Sequence, residues 1–212
     1  MNAALVPEVP AGNAFLPGDN KSMPKHVVII AGPNGSGKTT FAHQYIEVSG
    51  YSYLGADAIA ENIAPNHVEE VKVQAGREFF KQMADLIAES KNFVVESTLS
   101  GLGFQHIIHR LNQAGYTITI LFVYLETPEV CVERVKERVL KGGHDVPAVD
   151  IKRRFYRSKN NFWHRYKNLA HYWHIFYNNE GFIEVAAGEG SQLTVTDDVL
   201  FQLFLRGEVL YE

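Results

Sequence analysis

Eight consecutive residues near the start of the chain match a pattern that binds phosphate groups. Residues 32–39 read Gly-Pro-Asn-Gly-Ser-Gly-Lys-Thr, which is G-x-x-x-x-G-K-[ST] in full. The glycines of this pattern allow a tight turn whose N–H groups face phosphate oxygens, and its lysine contacts the β- and γ-phosphates. The alternative is a glycine-rich turn that matches by chance. The predicted nucleotide contacts are Gly32, Pro33, Asn34, Gly35, Ser36, Gly37, Lys38, Thr39 and Thr40.

The flanks of this pattern favour the phosphate-binding interpretation. Residues 25–31 form a short apolar, β-branched run typical of a buried parallel strand. Residues 39–46 predict a helix whose N-terminus would face the phosphates. We therefore expect ATP to bind here, with Lys38 on the phosphates and the Thr39 hydroxyl on Mg²⁺.

Two acidic residues follow later predicted strands. Asp57 comes after a short strand at residues 50–54, in a loop reading Gly-Ala-Asp, and Glu96 follows the apolar run at 92–95. Asp57 is predicted to take the proton of an acceptor hydroxyl, with a helix N-cap as the alternative. Glu96 is predicted to serve a Mg²⁺ site or position water, with a capping or solvated residue as the alternative.

A basic cluster surrounds a glycine-rich turn in the second half of the chain. Positive charge over a transferring phosphoryl group stabilises the reaction, and arginine supplies it with a forked set of donors. The two glycines at 142 and 143 separate two predicted helices, which together would form a movable flap at about residues 134–160. Charge runs are also common on solvated faces. The candidate arginines are Arg134, Arg138, Arg153, Arg154 and Arg157.

Residues 151–179 contain no acid, but lysines and arginines alternate there with aromatic residues. Such a strip either binds RNA by charge and stacking or forms a lid and cover helix with its rings packed inward, and we favour the second. No acid or cysteine accompanies His164, His171 and His174, so no metal site is predicted there. Cys131, the one cysteine of the chain, is expected to pack in a helix.

The elements that would position these residues alternate along the chain. Periodicity predicts helices at about residues 65–90, 104–114 and 197–205, and strands at 116–125 and 182–186. Thr127 and Pro128 resemble the N-cap and first position of another helix. Strands separated by helices predict an α/β fold, a parallel sheet with helices on both faces, and ligands at the carboxyl ends of the strands.

Bulk properties are those of one domain. The chain has 212 residues and a net charge of −4, which argues against a surface that coats nucleic acid. Residues 1–25 are expected to be an irregular arm rich in proline and glycine, and residues 26–212 one domain. The lack of a secretion signal, of a long apolar run and of cysteine pairs leads us to expect a cytoplasmic protein without a membrane partner.

Together these motifs resemble the zeta-toxin family of P-loop kinases. The likeness rests on the phosphate loop, Asp57, the Glu-Ser-Thr-Leu-Ser run at 96–100, the Gly-Gly-His-Asp-Val-Pro turn at 142–147 and the Arg-Arg helix after it. It covers roughly residues 26–190. A late Tyr-Asn-Asn stretch at 177–179 is similar to the family's Tyr-Asp-Asn-Ser, with Tyr177 where relatives often carry aspartate.

The resemblance implies a P-loop kinase fold with a helical lid. Founding members of that family phosphorylate the sugar of UDP-N-acetylglucosamine with ATP. By position, Asp57 would be the acceptor base, Lys38 the phosphate clamp, and Glu96 with Thr98 would hold the sugar nucleotide. The catalytic arginines would come from Arg138, Arg154 and Arg157. Because the chain is shorter than the plasmid toxins, toxicity and an antitoxin partner do not follow and stay open.

The sequence therefore predicts an ATP-dependent kinase of a small-molecule hydroxyl, with a UDP-activated sugar as one acceptor. Other acceptors stay open: a nucleotide, another metabolite or a polynucleotide end, which would make activity fall steeply with salt. The alternative from another class is a nucleotide-gated binding protein, whose flap would signal to a protein partner that ATP is bound. Such a protein would bind ATP without transferring its phosphate to a small molecule. Asp57, in the position expected for a general base, together with a flap favours a kinase over such a binding protein.

Overall fold

One sheet carries the structure, and its strand order decides which loops meet. The computed structural model describes residues 24–206 except 66, 69 and 191. The strands are β1 (His26–Ala31), β2 (Ser52–Leu54), β3 (Phe93–Ser97), β4 (Thr117–Tyr124), β5 (Tyr172–Asn178), β6 (Phe182–Glu189) and β7 (Gln192–Val195). The helices are α1 (Lys38–Ser49), α2 (Ala56–Ile63), α3 (Lys72–Ala88), α4 (Phe104–Gln113), α5 (Pro128–Leu140), α6 (Ala148–His164) and α7 (Asp198–Leu205).

The seven-stranded sheet has the order β2-β3-β1-β4-β5-β6-β7. The five strands β2, β3, β1, β4 and β5 run parallel to one another. Strand β6 pairs antiparallel with β5, and β7 pairs antiparallel with β6. The predicted α/β fold with a parallel sheet is confirmed, and the structure adds two strands at this edge through antiparallel pairing. Residues 178–182 are too few for the helical crossover that a parallel pair needs, so β6 folds back on β5 as a hairpin.

Helices cover both faces of the sheet, as predicted. On one face Val28, Ile30 and Leu121 pack against Phe41 and Tyr45 of α1. The other face carries the larger cluster, in which the alternate residues of the same strands meet α2, α3, α4, α6 and α7. The central strands are buried on both faces, which is why they read as continuous apolar runs.

The predicted helix at 65–90 begins later, and a second helix precedes it. Helix α3 starts at Lys72, and residues 56–63 form α2. Between them the amides of His67, Glu70 and Val71 bond to carbonyls three residues back, a run of turns without a regular helix. The apolar stripe is nevertheless correct, since Ala75, Phe79 and Met83 of α3 are buried.

The start of α5 follows its sequence signals. The Thr127 hydroxyl accepts a bond from the Val130 amide at 3.4 Å, and Pro128 is the first helical residue. The turn after α4 contains Gly115 at φ 78°, as the predicted helix end requires. The last helix likewise starts after Asp197, whose carboxylate accepts from the Leu200 amide at 2.9 Å.

The arm predicted for residues 1–25 lies, except for residues 24 and 25, outside the described residues. Its boundary with the domain at 26–212 stays a prediction. In the part of the chain that the structure describes, no helix is both long and apolar enough to cross a membrane.

Acidification should weaken the fold through His26. Its ring lies between the Tyr51 hydroxyl (3.1 Å) and the Thr119 hydroxyl (2.9 Å), and burial, helped by the charge of His171, lowers its pKa from 6.5 to about 4. Between these values the unfolded chain takes up a proton that the folded protein does not. We expect the free energy of unfolding to fall by about 3 kcal/mol from this residue as the pH drops from 6.5 to 4.

Urea unfolding of the protein and of His26→Gln across this pH range measures the effect. The variant should lose the part of the pH dependence that His26 contributes, whereas His109→Gln, which changes an exposed histidine, should keep it. Equal slopes in all three proteins would contradict the role of His26.

Candidate functional site

A cleft of about 1590 Å³ opens at the carboxyl ends of the strands. Its lining includes the phosphate loop after β1, the start of α2 after β2, the segment after β3, and the flap that follows β4. Sites for one small molecule usually measure about 300–1,000 Å³. The cleft is therefore large enough to hold a nucleotide and a second substrate side by side.

The phosphate loop is held in shape by close contacts at its glycines. Gly35 has φ 82°, and a Cβ there would lie 2.4 Å from the carbonyl oxygen of Cys131. Gly37 has φ 96°, and a Cβ there would lie 2.2 Å from the Asn178 amide nitrogen. Only glycine fits either position, because the φ angles are left-handed and neighbouring atoms fill the space.

Lys38 lies at the first position of α1 and is buried. Its ammonium donates to the Pro33 carbonyl at 2.9 Å, so the side chain folds back over the loop. Burial lowers the pKa of this ammonium, and the carboxylates of Glu96 and Asp57 oppose that shift. A cation in this position can neutralise the charge of phosphate groups bound by the loop.

Glu96 connects two of the segments around the cleft. One carboxylate oxygen accepts from the Thr39 hydroxyl at 3.1 Å and the other from the Tyr53 hydroxyl at 2.9 Å. Burial, with the nearby charge of Glu96, raises the pKa of Tyr53, so the phenol stays a donor. Glu96 lies inside β3, one residue before its end, instead of after it as predicted.

A hydroxyl and a carboxylate side by side suit Mg²⁺, which takes few protein ligands and completes its shell with water and phosphate oxygens. Thr39 and Glu96 would therefore hold the ion. The described residues contain no cluster of three acid, histidine or cysteine side chains that could bind a metal alone.

Asp57 lies in the first turn of α2, which corrects the predicted loop. Gly55 occupies the N-cap position, so Asp57 is not the N-cap residue of this helix, which was the alternative interpretation. The carboxylate is exposed, lines the cleft and lies near enough to Lys38 for their charges to interact. A free carboxylate across from the phosphate-binding lysine can accept a proton from a bound hydroxyl.

The flap arginines have different surroundings. Arg154 donates to the Asn34 side chain of the phosphate loop at 3.1 Å, and Arg138 donates to the His144 carbonyl within the glycine turn. Both line the cleft. The exposed Arg157 is not among the lining residues, and Arg153 pairs with Asp150 at 2.6 Å.

The flap has its own small core. Apolar residues of α5, the turn and α6 pack together, among them Val135, Val146 and Phe155. This arrangement of helix, glycine turn and helix matches the predicted lid. Arg134 and Arg154 bond this packed unit to the β5–β6 turn and to the phosphate loop.

Sequence reasoning missed a network centred on Asn178, the last residue of β5. Its side-chain amide donates to the Ser36 carbonyl at 2.8 Å. Arg134 of α5 donates to the carbonyls of Asn178 (3.1 Å) and Asn179 (3.0 Å). These bonds connect the flap, the β5–β6 turn and the phosphate loop. The missed strand β5 explains the omission, because only that strand brings residue 178 beside residue 36.

The segment after β3 is also anchored from a distance. The hydroxyls of Thr98 and Ser100 lie 2.9 Å apart and both residues line the cleft. Between them Leu99 is buried at φ 52°, and its carbonyl accepts from Asn161 of α6 at 3.0 Å. Such a backbone presents the Thr98 and Ser100 side chains to the cleft.

In the basic and aromatic strip at 151–179, aromatic rings pack inward, as in the lid and cover helix that the sequence favoured over an RNA-binding strip. Phe155, Phe162 and Tyr166 are buried, and Trp163 packs against the main core. The ammonium of Lys167 lies 3.6 Å from the centre of the Trp163 ring. These rings are therefore occupied and offer no stacking platform for bases.

Cys131 is buried in α5, as expected. Burial raises the pKa of its thiol to about 12, which leaves it protonated and unreactive at neutral pH.

Substituting Gly35 should remove nucleotide binding. In Gly35→Ala the Cβ must displace the backbone of Cys131 or rebuild the loop, so we expect nucleotide affinity to fall below detection and stability to drop by about 1–3 kcal/mol. Gly76→Ala is the control, because a Cβ in the middle of α3 meets nothing within 4 Å. It should stabilise the protein by about 0.5–1 kcal/mol. Isothermal titration with ATP and urea unfolding measure both; normal ATP affinity in Gly35→Ala would contradict the loop geometry.

The model of the AAA_33 family, described as an AAA domain, matches residues 27–157. An uncharacterized protein of Haemophilus influenzae is 29% identical over 139 residues, which cover 63% of this chain and 94% of that protein. A cytidylate kinase of Saccharolobus islandicus is 30% identical over 88 residues. The chain spans about half the length of that kinase, 47%, and the match uses 37% of this chain.

Solved structures share the fold at low identity. The AvrRxo1-ORF1:AvrRxo1-ORF2 complex with sulphate ions superposes with a TM-score of 0.72 at 15% identity, covering 88% of this chain and 65% of that chain. The PezAT toxin-antitoxin system of Streptococcus pneumoniae superposes with a TM-score of 0.57 at 16% identity, over 89% and 82% of the two chains. These structures share the fold of this chain, an α/β fold with the phosphate loop that the motifs predict.

Proposed function

This chain belongs to the AAA_33 family, and from that premise we propose that it is an ATP-dependent phosphotransferase acting on the hydroxyl of a small molecule. One observation carries the proposal: Lys38 of the phosphate loop and the free carboxylate of Asp57 interact across one cleft. The volume of the cleft, about 1590 Å³, supports two substrates instead of one.

The proposed reaction transfers the γ-phosphoryl group of ATP. The acceptor oxygen forms a bond to the γ-phosphorus while the bond from that phosphorus to the β,γ-bridging oxygen breaks, and ADP leaves with the electron pair. The hydroxyl proton passes to the carboxylate of Asp57. Lys38 and the loop amides bind the phosphates and hold them in line with the acceptor.

The flap supplies the remaining positive charge. Arg138 and Arg154 line the cleft and are the arginines that we assign to the transferring group. Arg157 is left out of this assignment because it is exposed outside the cleft. Closing the flap would exclude water and so favour transfer to the acceptor over hydrolysis.

Mg²⁺, held by Thr39 and Glu96, would neutralise charge on the β- and γ-phosphates. Tyr53 keeps the Glu96 carboxylate oriented toward Thr39 through its hydrogen bond of 2.9 Å.

The zeta-toxin likeness makes UDP-N-acetylglucosamine one acceptor to test, with Glu96, Thr98 and Asp57 around the sugar. A protein partner such as an antitoxin is likewise a proposal. Two similar structures bear the names of a two-protein complex and a toxin-antitoxin system.

Incubating the protein with [γ-³²P]ATP, Mg²⁺ and a panel of sugars, nucleotides and alcohols tests the function. Label should appear in one acceptor and depend on Asp57. ATP binding without transfer to any compound would instead support a nucleotide-gated binding protein.

A further inference from the structure

The basic residues around the cleft come from one part of the chain, whereas acidic residues line both parts. We call the lining residues between positions 53 and 107 the acceptor half; they follow β2 and β3, on one side of the phosphate loop. The loop itself, the flap and the β5–β6 turn form the donor half. Every lysine and arginine among the described lining residues belongs to the donor half: Lys38, Arg134, Arg138, Lys141 and Arg154.

The charged residues that line the acceptor half are all acidic. They are Asp57, Glu61 and Glu96. Proteins recognise phosphate groups with arginine, lysine or helix N-termini. The donor half has all three, whereas the acceptor half has the N-termini of α2 and α4 but no lysine or arginine among its described lining residues. A phosphate brought beside the acids of the acceptor half would meet like charge, and the described lining residues of that half include no lysine or arginine to offset it.

The acceptor half also has an apolar side. Phe79, Phe104 and Ile107 line it together with Phe80, whose side chain on α3 is 51% exposed. The ring of Phe80 meets that of Phe79 edge-on, with 5.6 Å between centroids, and leaves a face open. A half-exposed aromatic ring beside other apolar lining residues suits a flat or apolar part of a ligand.

We infer that the acceptor carries no phosphate group: it is an uncharged or cationic compound with several hydroxyl or amine donors and an apolar or ring-shaped part. Glu61 and the Thr98 and Ser100 hydroxyls receive the donors, Phe80 covers the apolar part, and Asp57 takes the proton of the hydroxyl that attacks ATP. This inference rests on the proposed kinase function. It places nucleotides and nucleotide sugars below simpler hydroxyl compounds as acceptors.

A fractionated acceptor pool tests the inference without knowing the acceptor. A small-molecule extract of the expression host is passed over an anion exchanger at neutral pH, and each fraction is incubated with the protein and [γ-³²P]ATP. We expect label in the unretained fraction, which holds neutral and cationic compounds, and none with Asp57→Asn. Label in the retained fraction alone would overturn the inference and leave the kinase function standing. No label in either fraction would overturn the kinase function itself.

A matched pair of sugars repeats the comparison with defined compounds. Nitrophenyl N-acetylglucosaminide and UDP-N-acetylglucosamine share their sugar, but one carries an uncharged ring and the other a diphosphate. We expect kcat/KM to be at least about tenfold higher for the nitrophenyl sugar, the effect of one well-placed contact. The reverse order would overturn the inference.

Phe80 provides the residue-level test, with the acceptor taken from the labelled fraction. Phe80→Ala should raise the KM of the acceptor about tenfold and leave the KM of ATP unchanged, because stacking on the ring is lost. Val73→Ala is the matched control: Val73 lies on the same helix, is 72% exposed and does not line the cleft. An unchanged acceptor KM in Phe80→Ala would contradict the proposed role of the ring.

Discussion

Replacing Asp57 with asparagine should lower kcat about 100- to 10,000-fold while the affinity for ATP stays within about twofold. The carboxylate is exposed in the cleft and near Lys38. Asparagine keeps the size and the hydrogen-bonding oxygen but cannot take a proton at neutral pH. The acceptor then has to lose its proton to water in the transition state, which slows transfer without weakening the phosphate contacts.

Single-turnover transfer and isothermal titration with ATP separate the two effects. Asp85→Asn makes the same chemical change at an exposed position of α3 outside the cleft and should behave as the unchanged protein. If Asp57→Asn lost ATP affinity and rate in parallel, Asp57 would belong to the nucleotide site and the base role would be wrong.

Lys38→Ala should lose both ATP affinity and rate. The ammonium is a buried cation within the phosphate loop, and its removal leaves the bound phosphates without their nearest positive side chain. A charge-assisted hydrogen bond contributes about 1.5–3 kcal/mol, which predicts a ten- to hundredfold weaker affinity. The rate should fall by a further factor of about 100 to 1,000, since charge accumulates on the phosphoryl oxygens during transfer.

Titration with ATP and steady-state kinetics measure these losses. Lys91→Ala, which removes an exposed lysine far from the lining residues, controls for the change in net charge. A Lys38→Ala protein with full ATP affinity would show that the loop amides alone bind the phosphates.

The sequence was most informative where local chemistry and local structure coincide. The phosphate loop follows from its glycines and lysine, which must stand in one order for the turn to form. The start of α5 follows from Thr127 and Pro128, whose effects extend over only a few residues. Such features need no knowledge of distant contacts.

Features that depend on tertiary contacts were predicted less well. The prediction of one helix at 65–90 failed because the apolar period continues through the turns before Lys72. Strand β5 was missed because its aromatic residues resemble those of the cover helix that precedes it. Its identity comes from the neighbours β4 and β6, to which it is bonded on both sides.

The residues of the candidate site also differ in whether local sequence or tertiary contacts determine their position. Arg154 and Arg157 share one helical face in the sequence, yet only Arg154 reaches the phosphate loop, at Asn34. Three residues along a helix rotate a side chain by almost a full turn but also move it along the axis, and the cleft ends between the two positions. The bond from Asn178 to Ser36 joins residues 142 positions apart, a separation that periodicity cannot bridge.

The acceptor half occupies one unbroken stretch, residues 53–107, whereas the donor half comes from the chain on either side of it. Gene segments encoding that stretch could be exchanged between related proteins with two junctions, one before β2 and one before β4. Such grafts would leave the phosphate loop and the flap in place but would have to keep Tyr53 and Glu96, because Glu96 bonds to Thr39 and is proposed to hold Mg²⁺ with it. Under the proposed function, chimeras of this kind would accept new acceptors while ATP stays the phosphate donor. Natural recombination at the same two junctions would diversify the acceptors in the same way.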